Sequence, residues 1–273
     1  RVRWYQAAQV LRKDADEDRK AQIEQDIGAL VHASEHGDVA VLESFESAYT
    51  PVLDGMLATL SRLGISYDTF TKESRFVVDG TVAELMETLD ALDIAGTADN
   101  GAGFLDLGQR GLKGKTEFFY RRGDGSSLYA TRDVAYHMWK WGESNRLVNV
   151  LGEDHKLQAK QVGLTLEELG QQRPEVLFYS FIKLPEGKMS TRQGNVVFMD
   201  DLLEEAHAQA SAVVRELRPE YDDAKVSLIA EAVGTAAVRF NIIKVSPEKG
   251  FTFRWEEALA FEAGSAPFIM YAH

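Results

Sequence analysis

Leu147-Val148-Asn149-Val150-Leu151-Gly152-Glu153-Asp154-His155-Lys156-Leu157-Gln158 is the stretch on which the fold turns. A short strand-forming run, Leu147 to Leu151, stops at Gly152. A polar run then opens a helix expected from about Asp154 to Leu169. Strand, glycine and helix start in that order are the grammar of an α/β sheet. In such sheets ligands gather at the carboxyl ends of strands, where free backbone N–H groups and the helix dipole favour anions. Working outward, a strand is expected at Val176–Ile182, followed by the loop Leu184-Pro185-Glu186-Gly187-Lys188-Met189-Ser190-Thr191-Arg192-Gln193-Gly194-Asn195. On the other side, Leu128-Tyr129-Ala130 reads as a strand running into Thr131-Arg132-Asp133 and a helix with Val134, Met138 and Trp141. The expected fold class is α/β: a partial doubly wound, Rossmann-like nucleotide-binding sheet with a small β-rich insertion and C-terminal α-helices.

The flanks are more helical. Residues 4–35 place apolar positions three and four apart, as one long amphipathic helix or two joined ones. Tyr49 to Leu63 repeats the pattern and Gly64 is its stop. Ile65–Phe70 reads as a strand. Residues 76–93 read as a strand, a turn at Asp79-Gly80 and a helix Val82–Leu92. From Asn100 to Ser127 frequent glycines and short apolar runs predict a β-rich excursion. Two helices, 200–217 and 222–243, close the pattern.

Composition bounds the function. With 273 residues, 45% of them hydrophobic, the chain can bury one or two cores. It has no cysteine, so disulfides and thiolate metal sites are excluded, and its histidines form no zinc pattern. His32 and His36 read as a solvated helix end running into Gly37. No run of about 18 apolar residues stands out, so no membrane span is expected. The net charge of −13 argues against a polyanionic partner, unless the protein comes from a salt-rich cytoplasm where acidic surfaces prevail. The chain opens without Met and stops at Ala272-His273, and is expected to be an excerpt.

The candidate site residues each have a plain structural reading too. Asp133 and Asp154 could be helix N-caps, Gly152 a turn glycine, Lys188 and Arg192 solvated loop charges. Their conjunction, in order, at three successive strand ends points to a ligand site. Two cations on a glycine-bounded loop suit a charge that develops and leaves, such as pyrophosphate.

Lys188-Met189-Ser190-Thr191-Arg192 resembles the Lys-Met-Ser-Lys-Ser loop of class I aminoacyl-tRNA synthetases, with Thr191 and Arg192 in its last two places. Gly152-Glu153-Asp154-His155 with Gln158 is similar to the nucleotide-contacting Gly-x-Asp-His-x-x-Gln of the arginine enzymes. Tyr129-x-Thr131-Arg132-Asp133-x-Ala135-Tyr136 resembles those enzymes' own motif. So do Gly64-Ile65-x-Tyr67-Asp68 leading to Glu73-Ser74, and the closing Ser265 to His273.

The resemblance implies an arginine–tRNA ligase with L-arginine, ATP (with Mg2+) and tRNA(Arg) as partners, cytoplasmic, with no structural metal and no membrane. It assigns Tyr129, Asp133, Gln158 and Glu73 to the arginine substrate. Gly152, Asp154 and His155, with Lys188, Met189 and Ser190, go to ATP, and Lys188 and Arg192 to catalysis. Residues 1–195 would be part of the catalytic domain with an insertion at about 94–127, residues 196–250 a helical stem-contact region, and 251–273 the start of a helical anticodon-binding domain. The family's His-x-Gly-His element is missing; Glu35-His36-Gly37-Asp38 has the wrong context. The chain is therefore expected to be inactive alone and prone to self-association, and the full-length enzyme monomeric. Another class I synthetase, or a non-catalytic synthetase-derived binding module, are the alternatives.

Overall fold

A computed structural model describes residues 2–183, 198–254, 257 and 264–272. The chain divides into two compact units. One comprises residues 15–47 and 69–178, the other 1–14, 48–68 and 179–273.

The first unit carries the sheets. Its antiparallel sheet has three strands, β1 (Ala95–Thr97), β2 (Gly103–Asp106) and β3 (Glu117–Arg121), in the order β1-β2-β3. This is the β-rich excursion the glycines predicted. Gly123 lies so close to the Asn100 carbonyl that a Cβ there would come within 2.1 Å of it. Leu105, Phe118 and Tyr120 point into a core shared with α5 (Thr81–Asp90), α6 (Tyr129–Glu143) and α7 (Lys156–Glu168). Val82, Leu85 and Leu89 of α5 fall three and four residues apart and are buried together, as an amphipathic helix requires. A second sheet pairs β4 (Val148–Gly152) with β5 (Glu175–Tyr179), parallel and joined through α7. The expected nucleotide-type sheet is thus represented by one β-α-β unit. Val148, Val150 and Leu177 are exposed along it.

Three expected strands are corrected. Leu128–Ala130 is not a strand: Leu128 is the extended N-cap of α6, and Tyr129 already lies in the helix. Leu128 N–H and the Thr131 hydroxyl both donate to the Tyr120 carbonyl, which draws this segment into a helix start at the end of β3. Residues 76–78 belong to a short helix, α4 (Ser74–Val78), because Phe76 is buried in the core and the chain turns back at Gly80 (φ 88°). Ile65–Phe70 pairs with no strand among the described residues, and Ile65, Tyr67 and Phe70 are exposed.

The N-terminal pattern resolves into two joined helices, α1 (Val2–Asp14) and α2 (Glu17–Glu35), the second capped by Asp16 accepting from the Arg19 N–H at 2.8 Å. At its far end the His32 and His36 rings stack, and Gly37 takes φ 76°.

The second unit is helical. The helix α3 (Val39–Arg62), whose last two-thirds belong here, ends at Gly64. Gly64 has φ 63°, with Ile65 N–H donating to Leu60 and Gly64 N–H to Ser61, the paired bonds of a Schellman stop. Helices α8 (Met199–Leu217) and α9 (Asp223–Ile243) pack along each other, and α10 (Ala266–Ala272) packs on α9. A Cβ at Gly234 would come within 2.9 Å of the Ala206 backbone, so the glycine sets how closely α8 and α9 approach. Arg62 bridges α8 and α9 through Glu204 at 2.9 Å and Glu231 at 3.1 Å.

Although the sequence holds no uninterrupted run of about 18 apolar residues, α9 is by length and composition alone long and apolar enough to cross a membrane. In this structure Val226, Ala230, Gly234, Ala237 and Val238 are buried, so its apolar face serves the packing of this unit.

Candidate functional site

A cleft of about 490 Å3 opens in the first unit between α6, β4 and the start of α7. Its lining includes Glu73, Tyr129, Asp133, His155 and Gln158, five of the residues the sequence singles out. The helical start at Tyr129 explains how they meet. Tyr129 and Asp133 are four residues apart and so share one face of α6. Glu73 stands at the residue before α4, and Gln158 in the first turn of α7. Gly152 is buried at the end of β4. Asp154 and His155 form a tight turn before α7, with His155 Nε2 3.9 Å from Asp154 Oδ2 and both side chains open to solvent. Lys188, Met189, Ser190 and Arg192 lie outside the described residues.

Acidity dominates the Tyr129 end. Burial raises the Glu73 carboxyl above its ordinary range, the neighbouring Asp133 raises it further, and Arg132 opposes both. The Tyr129 hydroxyl is held above its ordinary range by burial and by the Asp133 and Glu73 charges. Arg132 Nε is 3.8 Å from Glu73, while its Nη1 is 3.2 Å from Glu35. Glu35 in turn accepts from the Ser127 N–H at 3.2 Å and hydroxyl at 2.9 Å. Arg132 is thus already committed to acids, and Asp133 is left facing the cleft. A cation entering here would meet carboxylates whose desolvation it relieves.

Below Asp133 lies a chain of polar side chains. Lys140 donates to Asn149 Oδ1 at 3.3 Å, and Asn149 Nδ2 contacts His137 Nε2 at 2.7 Å. His137 Nδ1 lies 2.7 Å from the Asp133 carbonyl and 3.1 Å from its Oδ1. Lys140 also sits over the Tyr136 ring at 4.3 Å, and burial lowers its pKa while Asp133 works against that. Sequence reading assigned no role to His137, Lys140 or Asn149. Two signals were present: His137 is one helical turn beyond Asp133, and Asn149 is the one polar residue inside an apolar strand. Glu35 carried no such signal, since it meets Arg132 across 97 residues.

A family model described as "tRNA synthetases class I (R), catalytic domain" matches residues 9–255. The arginine–tRNA ligase of Methanocella arvoryzae is 46% identical over the whole of this chain, which covers 47% of that protein. That of Haloquadratum walsbyi is 39% identical, again over the whole chain and 46% of the relative. Among solved structures, the arginyl-tRNA synthetase of Thermus thermophilus aligns with a TM-score of 0.75 at 24% identity, covering 94% of this chain and 48% of that one. That of Plasmodium falciparum aligns at 0.69 and 13%, over 86% and 40%. These structures bear on the fold alone, and the fold is that of a class I tRNA synthetase catalytic domain. Within that class, the chain belongs to the arginine family. It spans about half the length of the curated relatives it matches.

Proposed function

We propose that the full-length protein is an arginine–tRNA ligase, which activates L-arginine with ATP to arginyl-adenylate and passes the arginyl group to the 3′ end of tRNA(Arg). The observation that carries this reading is the meeting of Glu73, Tyr129, Asp133 and Gln158 on one acidic cleft. A guanidinium offers five donors in a rigid fork, and a fixed carboxylate can accept two of them. Lysine, a point charge with three donors, leaves such a site imperfectly paired.

In the same reading Gly152, Asp154 and His155 face the ribose and adenine side of ATP. Lys188, Met189 and Ser190 serve its phosphates, with Arg192 assisting Lys188 in catalysis. Mg2+ would arrive on the ATP phosphates as part of the substrate; among the described residues no cluster of three acidic or histidine side chains forms a cage for it. The division into catalytic residues 1–195, stem-contact residues 196–250 and the first part of an anticodon-binding domain at 251–273 belongs to this proposal, as do a cytoplasmic location and a monomeric full-length enzyme. A class I site lies in the crevice between two halves of one sheet. Among the described residues one β-α-β unit supplies one wall, so the 273-residue chain alone is expected not to charge tRNA. The test is arginine-dependent aminoacylation of tRNA by the full-length protein and by this chain. Arginylation by the former alone supports the reading, and its absence from the full-length protein overturns it. Lys188→Ala is expected to lower the rate of activation by roughly a hundredfold with arginine binding nearly unchanged, measured by single-turnover adenylate formation.

A further inference from the structure

We propose that His137 is a positioning residue that fixes the Asp133 carboxylate for the guanidinium, and that Lys140 and Asn149 set the tautomer in which it does so. The inference rests on the reading of the cleft as the arginine pocket. It begins with Lys140, whose ammonium can only donate. Its contact with Asn149 Oδ1 therefore fixes which end of the amide is oxygen, and the amide nitrogen faces His137 Nε2 at 2.7 Å. An amide N–H is a donor, so Nε2 must be the acceptor and the ring proton sits on Nδ1. Nδ1–H then points at the acceptors within its reach, the Asp133 carbonyl at 2.7 Å and carboxylate Oδ1 at 3.1 Å.

The consequence is directional. His137 is only 3% exposed, and its ring has no freedom to leave this arrangement without stranding the Asn149 amide. The Oδ1 side of Asp133 is held from below, and the remaining lone pairs are turned to the cleft. A carboxylate fixed in this way loses less rotamer freedom when a guanidinium binds than one that must first be ordered. The same logic places partners behind metal-ligating histidines, where they orient a ligand group without touching the substrate.

The test is a set of histidine variants in the full-length protein, read as the KM for arginine against the KM for ATP in amino-acid-dependent pyrophosphate exchange. His137→Asn keeps an amide N–H where Nδ1 lies, and His137→Gln places its amide near Nε2 and leaves Asp133 without the donor. The two are alike in size and polarity, so a purely structural role would move both together. Expected is an arginine KM raised on the order of tenfold to a hundredfold in His137→Gln, with the ATP KM unchanged and His137→Asn close to wild type. Asp133→Asn is run beside them. If it raises the arginine KM while both histidine variants match wild type, His137 is structural and the inference falls. If Asp133→Asn itself leaves the arginine KM unchanged, the arginine-pocket reading falls and this inference with it. As a check independent of activity, 15N-histidine NMR of the full-length protein is expected to show His137 with pyrrole-type Nδ1 and pyridine-type Nε2. The opposite tautomer would overturn the proposal.

Discussion

Helices α6 and α9 each bury polar side chains, and only those of α6 are tied to a second element. On α9, Asn241 donates its amide to the Ala237 carbonyl one turn earlier in the same helix, at 2.9 Å. On α6, buried His137 also meets the carbonyl one turn earlier, that of Asp133, but its other ring nitrogen reaches out of the helix to Asn149 on β4, and Thr131 reaches to the Tyr120 carbonyl at the end of β3. A polar group satisfied within its own helix leaves the helix free to act as a packing surface, as α9 does on α8. A polar group satisfied on another element transmits that element's position to whatever stands above it, here Asp133. Substitutions around α6 should therefore be felt as changed ligand binding, and those on α9 as changed stability.

The largest expected effect is Asp133→Asn in the full-length protein. Losing a charged partner of a desolvated guanidinium should weaken arginine on the order of 2–5 kcal/mol while sparing ATP, as equilibrium titration with each ligand would measure. Equal losses for both ligands would remove Asp133 from the pocket.

Next is Gly234→Val on α9. Its Cβ would sit 2.9 Å from the Ala206 backbone, so α8 and α9 must part. Overpacking of this kind should cost about 1–3 kcal/mol in chemical denaturation, with the arginine KM unmoved. A changed KM at full stability would show that the α8–α9 pair communicates with the cleft.

The smallest effect is at Glu73. Burial and Asp133 raise its folded pKa, so ionising it opposes folding. Such a group favours the folded state below the ordinary carboxylate range, and that contribution is lost as pH rises through the raised folded value. Glu73→Gln is thus expected to melt slightly higher than wild type at neutral pH, with the gap closing as pH falls into the acid range, and to bind arginine more weakly. A variant that melts lower at neutral pH would mean that the Arg132 ion pair outweighs the burial.

The same contrast explains what was legible in the sequence. Helices α5, α8 and α9 were readable within a residue or two, because an apolar stripe at helical spacing needs no knowledge of its partner. Gly64 was readable as a stop because positive φ is a property of that residue alone. The short apolar runs at 65–70, 76–78 and 128–130 were not, since three to six residues fit a strand or a buried helical turn equally well and the tertiary partner decides. Leu128 was decided by the Tyr120 carbonyl, and Phe76 by the core it enters. In the cleft, Glu73, Tyr129, Asp133, His155 and Gln158 were legible from motif resemblance. The groups behind them were not: Glu35 and Arg132 meet only because the end of α2 reaches the start of α6.

The proposed function requires this cleft to recognise a guanidinium rather than a positive charge in general. Pyrophosphate exchange by the full-length protein, measured with arginine and with lysine at matched concentrations, tests it most directly. Arginine is expected to support exchange and lysine to fall several powers of ten below it in kcat/KM, because the carboxylate site is left with unmet hydrogen bonds. Comparable kcat/KM for the two amino acids would show that the cleft reads charge alone and is no guanidinium site.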